Sequence, residues 1–306
     1  VIWKQLLLFF FPIVFGTFFQ QIYNTADTIV VGRFVGKEAL AAVGGSVNQI
    51  VNLIVEVFVG LTSGAAVVVS QFFGAQDRKN LDKTVHTSFA FSLAAGAIIG
   101  VAGFLLSDAV LEAMNTPVEL MADSRTYLHI YFMGIVFNLV YNMGASVLRA
   151  MGDSRRPLYV LMTACILNIV LDIVLVVAAG MGVRGVAIAT VSCQGVSAVL
   201  VTGMLMRDHG FFRLEIKKIR FYGASLKAIL RIGVPAGIEA AMYCVANIVI
   251  QVFVNRLGTD YVAAWGTFGK IDAVFWMVVN AFSIAITTFV GQNYGAGKTR
   301  RMRKSV

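Results

Sequence analysis

The sequence predicts an all-α polytopic membrane protein, on three observations. Hydrophobic residues make up 58% of the 306 residues and charged residues only 13%, whereas a soluble domain carries about 25% charge; mean hydropathy is +0.80. Residues 5–26, 87–107, 185–206 and 273–297 each lack Asp, Glu, Lys, Arg and His, and each exceeds the roughly 18 residues that mark a spanning helix. No period-2 alternation runs through these stretches, so a transmembrane β-barrel fits poorly.

In chain order, eight spans are expected at about 5–32, 42–72, 84–107, 125–149, 157–179, 185–206, 225–255 and 263–290. No basic segment followed by a small-residue cleavage site opens the first, which reads as a membrane helix and not a signal peptide. Cys165, Cys193 and Cys244 fall inside spans 5, 6 and 7 and read as small packing residues, not a disulfide set. Gly180-x-Gly182-x-x-Gly185 matches the dinucleotide fingerprint in letters. It joins two spans with no βαβ unit around it, so it reads as a tight turn. His86, His129 and His209 form no spaced set and no His-Glu-x-x-His occurs, which speaks against histidine-based metal binding or catalysis.

A net charge of +9 suggests nucleic acid until the charges are mapped. With a cytoplasmic N-terminus, 19 of the 25 Lys and Arg residues fall on the cytoplasmic side, seven of them from Arg207 to Arg231 and five from Lys298 to Lys304. The positive-inside rule fits that orientation. The basic balance is then an orientation signal with some attraction to anionic lipid, and nucleic-acid binding is not expected.

The chain repeats itself at a period of about 222 residues. Pro12 in FFFPIVFG pairs with Pro235 in RIGVPAGI, GRFVGKEALAA (32–42) with NRLGTDYVAA (255–264), and SQFFGAQ (70–76) with GQNYGAG (291–297). Six spans precede the second copy. Six is even, so both copies enter the membrane from the same side, as two parallel six-helix repeats. The domains expected are an N-terminal six-helix lobe at 1–206, a basic cytoplasmic linker at 207–224, and the first two helices of a second lobe at 225–306. The linker is amphipathic enough to lie on the membrane surface. Completing the second copy takes four more helices, about 140 residues.

An ionisable group at mid-bilayer costs at least about 2.5–3.5 kcal/mol, which makes each one in a span a functional candidate. Asp27 lies 15 residues after Pro12 on span 1, and Asp172 lies 15 residues after Pro157 on span 5, so both reach similar depth on parallel helices. Asn168 is one turn from Asp172 on the same face, and Thr190 enters from the opposite side to meet them. Two carboxylates, an amide and a hydroxyl suit a hard cation such as Na⁺. Two neighbouring carboxylates in low dielectric also do not both ionise readily, so the same set suits a shared proton. The competing structural reading pairs each acid with a Lys or Arg, but the first repeat holds none within its spans away from their ends. Glu56 on span 2 and Glu239 on span 7 either contact substrate or keep an internal hydrogen bond. Lys270 and Asp272 on span 8 read as an ion pair. Tyr127, Tyr131, Asn138 and Asn142 on span 4 are candidate cavity liners. The 23 Phe and 12 Met residues mostly face lipid or neighbouring helices, and such side chains also suit a cavity for varied greasy cations.

The run YNTADTIVVGRFVGKEALAAVG (23–44) resembles the first-helix region of the MATE (multidrug and toxic compound extrusion) family. LRAMGDSRRP (148–157), LNIVLDIVL (167–175) and GMGVRGVAIAT (180–190) are similar to its helix 4–5 loop, fifth helix and helix 5–6 turn. WGTFGKIDAVFW and FVGQNYGAG (within 265–297) resemble its eighth helix, especially in the DinF-like bacterial branch. The resemblance implies two six-helix lobes facing a cavity that opens alternately to each side. It implies a secondary antiporter of the bacterial cytoplasmic membrane, exporting organic cations or other amphipathic toxic compounds in exchange for Na⁺ or H⁺. Neither enzymatic activity nor a cofactor is expected, no metal beyond Na⁺, and a monomer. In DinF-like members a site in the N-terminal lobe resembles Asp27, Asn168, Asp172 and Thr190, with Tyr127 similar to a tyrosine of the same cavity; Glu56 departs from the family pattern. A flippase for lipid-linked sugars would favour a cationic cavity, which basic residues outside the spans do not supply. A membrane-embedded transferase would need a paired-Asp metal motif or a catalytic His, and an ion channel suits the asymmetric repeat less well.

Overall fold

A backbone in hydrocarbon must satisfy its own hydrogen bonds, and this chain does so as helix. The computed structural model describes the backbone of residues 2–207, 212–257 and 259–303, and their side chains except at 251–252, 255–264, 266–267 and 270–271. Among the described residues there is no strand, and eight helices are long and apolar enough to cross a membrane.

Helix α1 (Ile2–Val30) continues as π-helix over Val31–Val35. Helices α2 (Lys37–Ala42) and α3 (Asn48–Gly74) are joined through a π segment, Val43–Val47, broken at Gly45. Next come α4 (Arg78–Ala113), α5 (Val118–Ala150) and α6 (Arg155–Asp172), the last continuing as π-helix over Ile173–Ala178. Helices α7 (Gly182–Met206), α8 (Gly223–Leu257), α9 (Thr259–Gly295) and α10 (Thr299–Arg303) complete the order. The turn between α6 and α7 uses Gly180 and Gly182 at φ 64° and 58°, the left-handed region that glycine enters without strain.

The helices overrun the expected spans at most ends. Helix α4 has 36 residues, about 54 Å at 1.5 Å per residue, against a hydrocarbon core about 30 Å thick. Hydropathy registers the hydrocarbon depth alone, while the helix continues into the headgroup layer and ends on local caps. At the start of α4 the Asp77 carboxylate accepts the Asn80 N–H at 3.1 Å and the Asn80 side-chain amide at 2.7 Å, an N-cap. These bonds hold the Asp77 carboxyl below the usual carboxylate range.

Helix α4 packs on α5, α5 on α7, α6 on α1 and α7, and α3 on α5, which closes the first six spans round a common interior. Small residues set the spacing, as is usual between membrane helices: a Cβ on Gly96 of α4 would lie 2.8 Å from the Val136 Cα of α5. One core cluster gathers Phe58, Leu128, Tyr131, Ile135 and Leu139, and a second holds Val85, Phe89, Leu148, Val201 and Leu205. The second lies toward the basic end, where the α3–α4, α5–α6 and α7–α8 joins carry most of the Lys and Arg.

The linker between the copies is only partly embedded: Arg213, Ile216, Lys217, Arg220 and Phe221 are exposed, as a surface segment requires, but two of its apolar residues turn inward. Its Phe212 and Leu214 insert into the second cluster, 6% and 1% exposed. The backbone around them is held by α4. Glu215 N–H donates to Nε2 of the fully buried His86 at 3.1 Å, and Tyr222 N–H to the Thr87 hydroxyl at 3.1 Å. With Nε2 accepting, the His86 proton sits on Nδ1 and is donated to the Asp82 carbonyl at 2.7 Å.

The second copy meets the first on backbone. Gly60 and Gly64 of α3 face Gly233 and Gly237 of α8 so closely that a Cβ on Gly60 would lie 2.7 Å from the Ala236 carbonyl oxygen. Nearer the basic end α3 crosses α9, with Gly74 on the Gln292 carbonyl, Gly295 on the Gln71 carbonyl and Ser70 on Gly291. These are the residues the repeat pairs, and each touches its counterpart's neighbour, the reciprocal pattern of a two-fold contact. Gln292 Nε2 also donates to the Ala150 carbonyl at 2.8 Å.

Candidate functional site

Buried hydroxyls in a helical bundle usually bond back to the preceding turn. On α4 the fully buried Thr84, Ser88 and Ser92 do so, to the carbonyls of Asn80, Thr84 and Phe89 at 2.8, 2.8 and 3.0 Å. Eight buried side-chain nitrogen or oxygen atoms lack any hydrogen-bond partner among the described residues. Seven belong to Asp27, Asn168, Asp172, Thr190 and Gln194.

Those five residues come from three mutually packed helices: Asp27 from α1, Asn168 and Asp172 from α6, Thr190 and Gln194 from α7. Asp27 faces both Asp172 and Asn168. The Tyr23 and Tyr127 hydroxyls reach toward Thr190, and that of Tyr131 toward Gln194. Asn168 and Asp172 are fully buried, Thr190, Tyr127 and Tyr131 nearly so. The rings of Tyr127 and Tyr131 lie parallel, centroids 6.2 Å apart at 12°, and wall the chamber from the α5 side. Asp27 and Asp172 are close enough to interact, yet neither Asp172 oxygen closes a hydrogen bond and no Lys or Arg acts on either acid. A carboxylate pair, Asp172 fully buried and Asp27 half-buried, with orphaned amide and hydroxyl oxygens around it is a donor set for a small hard cation or a proton.

Both acid-bearing helices change winding just past the acid. The π segment of α1 starts four residues after Asp27, that of α6 directly after Asp172, and the two segments touch. Single-turn π segments recur at functional sites because the extra residue re-aims the side chains beside it.

The other expected liners are placed differently. Asn138 and Asn142 pair with each other farther along α5, Asn142 Nδ2 donating to Asn138 Oδ1 at 2.9 Å. Glu56 is exposed and faces Cys244 of α8, and Glu239 is exposed; neither enters the chamber. The Lys270–Asp272 pair falls outside the described residues, since the Lys270 side chain is not among them. Gln194 and Tyr23 were not singled out from the sequence. Each stands four residues from a residue that was, Thr190 and Asp27, and the helical repeat is the signal that points to them. Among the described residues no group of three His, Cys, Asp or Glu could hold a metal ion.

The MatE family model matches residues 12–174 and 235–306, starting in each stretch at one of the paired prolines. The chain is 30% identical over 299 residues to the probable multidrug resistance protein YpnP of Bacillus subtilis (strain 168), covering 98% of this chain and 66% of that protein. It is 27% identical over 299 residues to the probable multidrug resistance protein NorM of Thermotoga maritima, covering 96% and 64% respectively. In fold it matches a MOP superfamily transporter from Pyrococcus furiosus Vc1 (DSM3638), with TM-score 0.92 and 24% identity over 99% of this chain and 67% of that one. The chain thus spans about two thirds of the length of the proteins it matches.

Proposed function

This chain belongs to the MatE family, a family of transporters and not of enzymes, and from that premise we propose that the whole protein is an efflux antiporter. It exports amphipathic, mainly cationic toxic compounds in exchange for Na⁺ or H⁺, with its basic end in the cytoplasm. The observation that carries the proposal is the orphaned polar set on Asp27, Asn168, Asp172 and Thr190, which holds six of the eight unpartnered buried polar atoms among the described residues. The names of YpnP and NorM support the substrate class.

A coupling ion drives a transporter only if it binds the two conformations differently. The Asp27–Asp172 pair meets that condition. Ionised and empty, the two carboxylates repel across a buried gap; bound to one Na⁺ or proton, they hold α1 and α6 together. Loading therefore favours the close-packed arrangement of the first six helices, and unloading relaxes it. Substrate cations would lie outside this chamber, in the space between the copies, where Glu56 of α3 and Glu239 of α8 are exposed.

The test uses full-length protein in liposomes, with a fluorescent organic cation and separate Na⁺ and pH gradients. Asp27→Asn and Asp172→Asn should each reach the membrane and lose gradient-driven accumulation under the gradient that drives the wild type. Unchanged accumulation in both variants would remove the pair from the mechanism.

A further inference from the structure

Gln194, like Tyr23, is a residue of the site that neither the charge pattern nor the depth argument indicated. It lies one turn beyond Thr190 on α7, toward the basic end and on the same face. Its Oε1 is buried and accepts no hydrogen bond, while the other end of its amide meets Tyr131. Flipping the amide would set Oε1 on the Tyr131 hydroxyl and strand the NH₂ instead. In both settings one end of the amide is unpaired in a buried site.

The same one-turn step occurs on four helices, α1 included, where Asp27 stands above Tyr23. Asp172 stands above Asn168 on α6, Thr190 above Gln194 on α7, and Tyr127 above Tyr131 on α5, with the second of each pair nearer the basic end. The chamber therefore has two levels. The upper one holds the acids. The lower one is neutral, made of the Asn168 and Gln194 amides and the Tyr23 and Tyr131 phenols, and both amides keep orphaned oxygens. A cation neutralised by the acids still needs oxygen donors on its remaining sides, and a neutral level beneath a charged one supplies them without a second binding charge to escape from.

We propose that Gln194 is a direct ligand of the coupling cation or of its bound water, acting with Asn168 as the floor of the site. This rests on the coupling role proposed for Asp27 and Asp172. The shared chemistry is a small cation that takes oxygen ligands, and two arms separate its sources. One measures half-saturating Na⁺ for substrate exchange at fixed pH, the other the pH midpoint of exchange without Na⁺, both with full-length protein in liposomes.

Gln194→Leu should weaken apparent cation binding about tenfold at unchanged maximal rate. That reads as a tenfold higher half-saturating Na⁺ or a pH midpoint about one unit more acid, whichever arm drives the wild type. Gln194→Glu, which keeps an oxygen and adds charge, should move the same quantity the opposite way, and it carries the test if the Leu variant fails to reach the membrane. An unchanged midpoint in both variants, or a fall in maximal rate alone, overturns the ligand role while Asp172→Asn remains uncoupled. Normal coupling in Asp172→Asn would instead defeat the acid-pair reading, and this inference with it.

Discussion

His86 on α4 is fully buried and uses both ring nitrogens, one for a neighbouring carbonyl and one for the linker N–H of Glu215. Replacing it with Leu leaves that N–H unpaired, a loss of about 1–3 kcal/mol. Thermal unfolding in detergent should show His86→Leu melting earlier, with faster proteolysis between residues 207 and 222. Equal melting and equal cleavage would show that the linker is held by Phe212 and Leu214 alone. Asp77 makes the complementary case at the surface. Its carboxyl is held below the usual range by the Asn80 N–H, so its contribution is present above the unfolded carboxylate value and disappears as pH falls through the folded one. The melting difference between wild type and Asp77→Ala should therefore be full near neutral pH and shrink under acid; a pH-independent difference would count against the cap. The partnership of His86 with the linker could not be read from the sequence, because the partners are 129 residues apart. Asp27 and Asp172 could, since a carboxylate in a hydrocarbon span has few structural excuses. Gln194 could not: a neutral amide carries no such penalty and does not stand out by depth.

Between elements, glycine decides how near two helices come. On α3 and α8, Gly60, Gly64 and Gly233 leave no space for even a methyl group, and Gly237 leaves little. Gly64→Leu should force the helices apart, a strain of about 1–3 kcal/mol. Spin labels on Lys79→Cys, after α3, and Lys298→Cys, after α9, report the separation at the basic end. The distance between them should lengthen in Gly64→Leu, and an unchanged distance would mean the seam does not set the spacing. The paired prolines and the SQFFGAQ/GQNYGAG match announced the repeat, but not that its partners cross one another. The π segments were also hidden. Residues 31–35 and 173–178 continue apolar runs without interruption, and no residue type encodes an i→i+5 turn.

For the whole molecule, the apolar runs made the eight crossings legible and left their ends vague, because hydropathy falls where the hydrocarbon stops and the helices do not. The amphipathic linker pattern pointed to the membrane surface; Ile216 and Phe221 are exposed as that reading expects, while Phe212 and Leu214 are spent inside the bundle. The orientation proposed from the charges can be measured directly. With Cys165, Cys193 and Cys244 replaced, Val118→Cys, 90% exposed at the end opposite the basic one, should react with a membrane-impermeant maleimide in intact cells. Lys79→Cys should react only after permeabilisation, and the reverse pattern would invert the topology.

A two-fold relation makes each contact between the copies occur twice, and here the two occurrences have diverged. In the register of the repeat, Gly60 and Gly64 correspond to Ala281 and Ala285, and Gly233 and Gly237 to Phe10 and Val14. The first version is backbone against backbone. The second packs Phe10, Ile13, Ala281 and Ala285 together, with the Phe10 and Phe282 rings 4.0 Å apart. Backbone in contact cannot be compressed and has no rotamer to change, whereas two rings tilted 31° to each other can slide and turn. The contact between the copies is therefore unlike on its two sides, stiff between α3 and α8 where glycine meets glycine and softer between α1 and α9 where side chains meet.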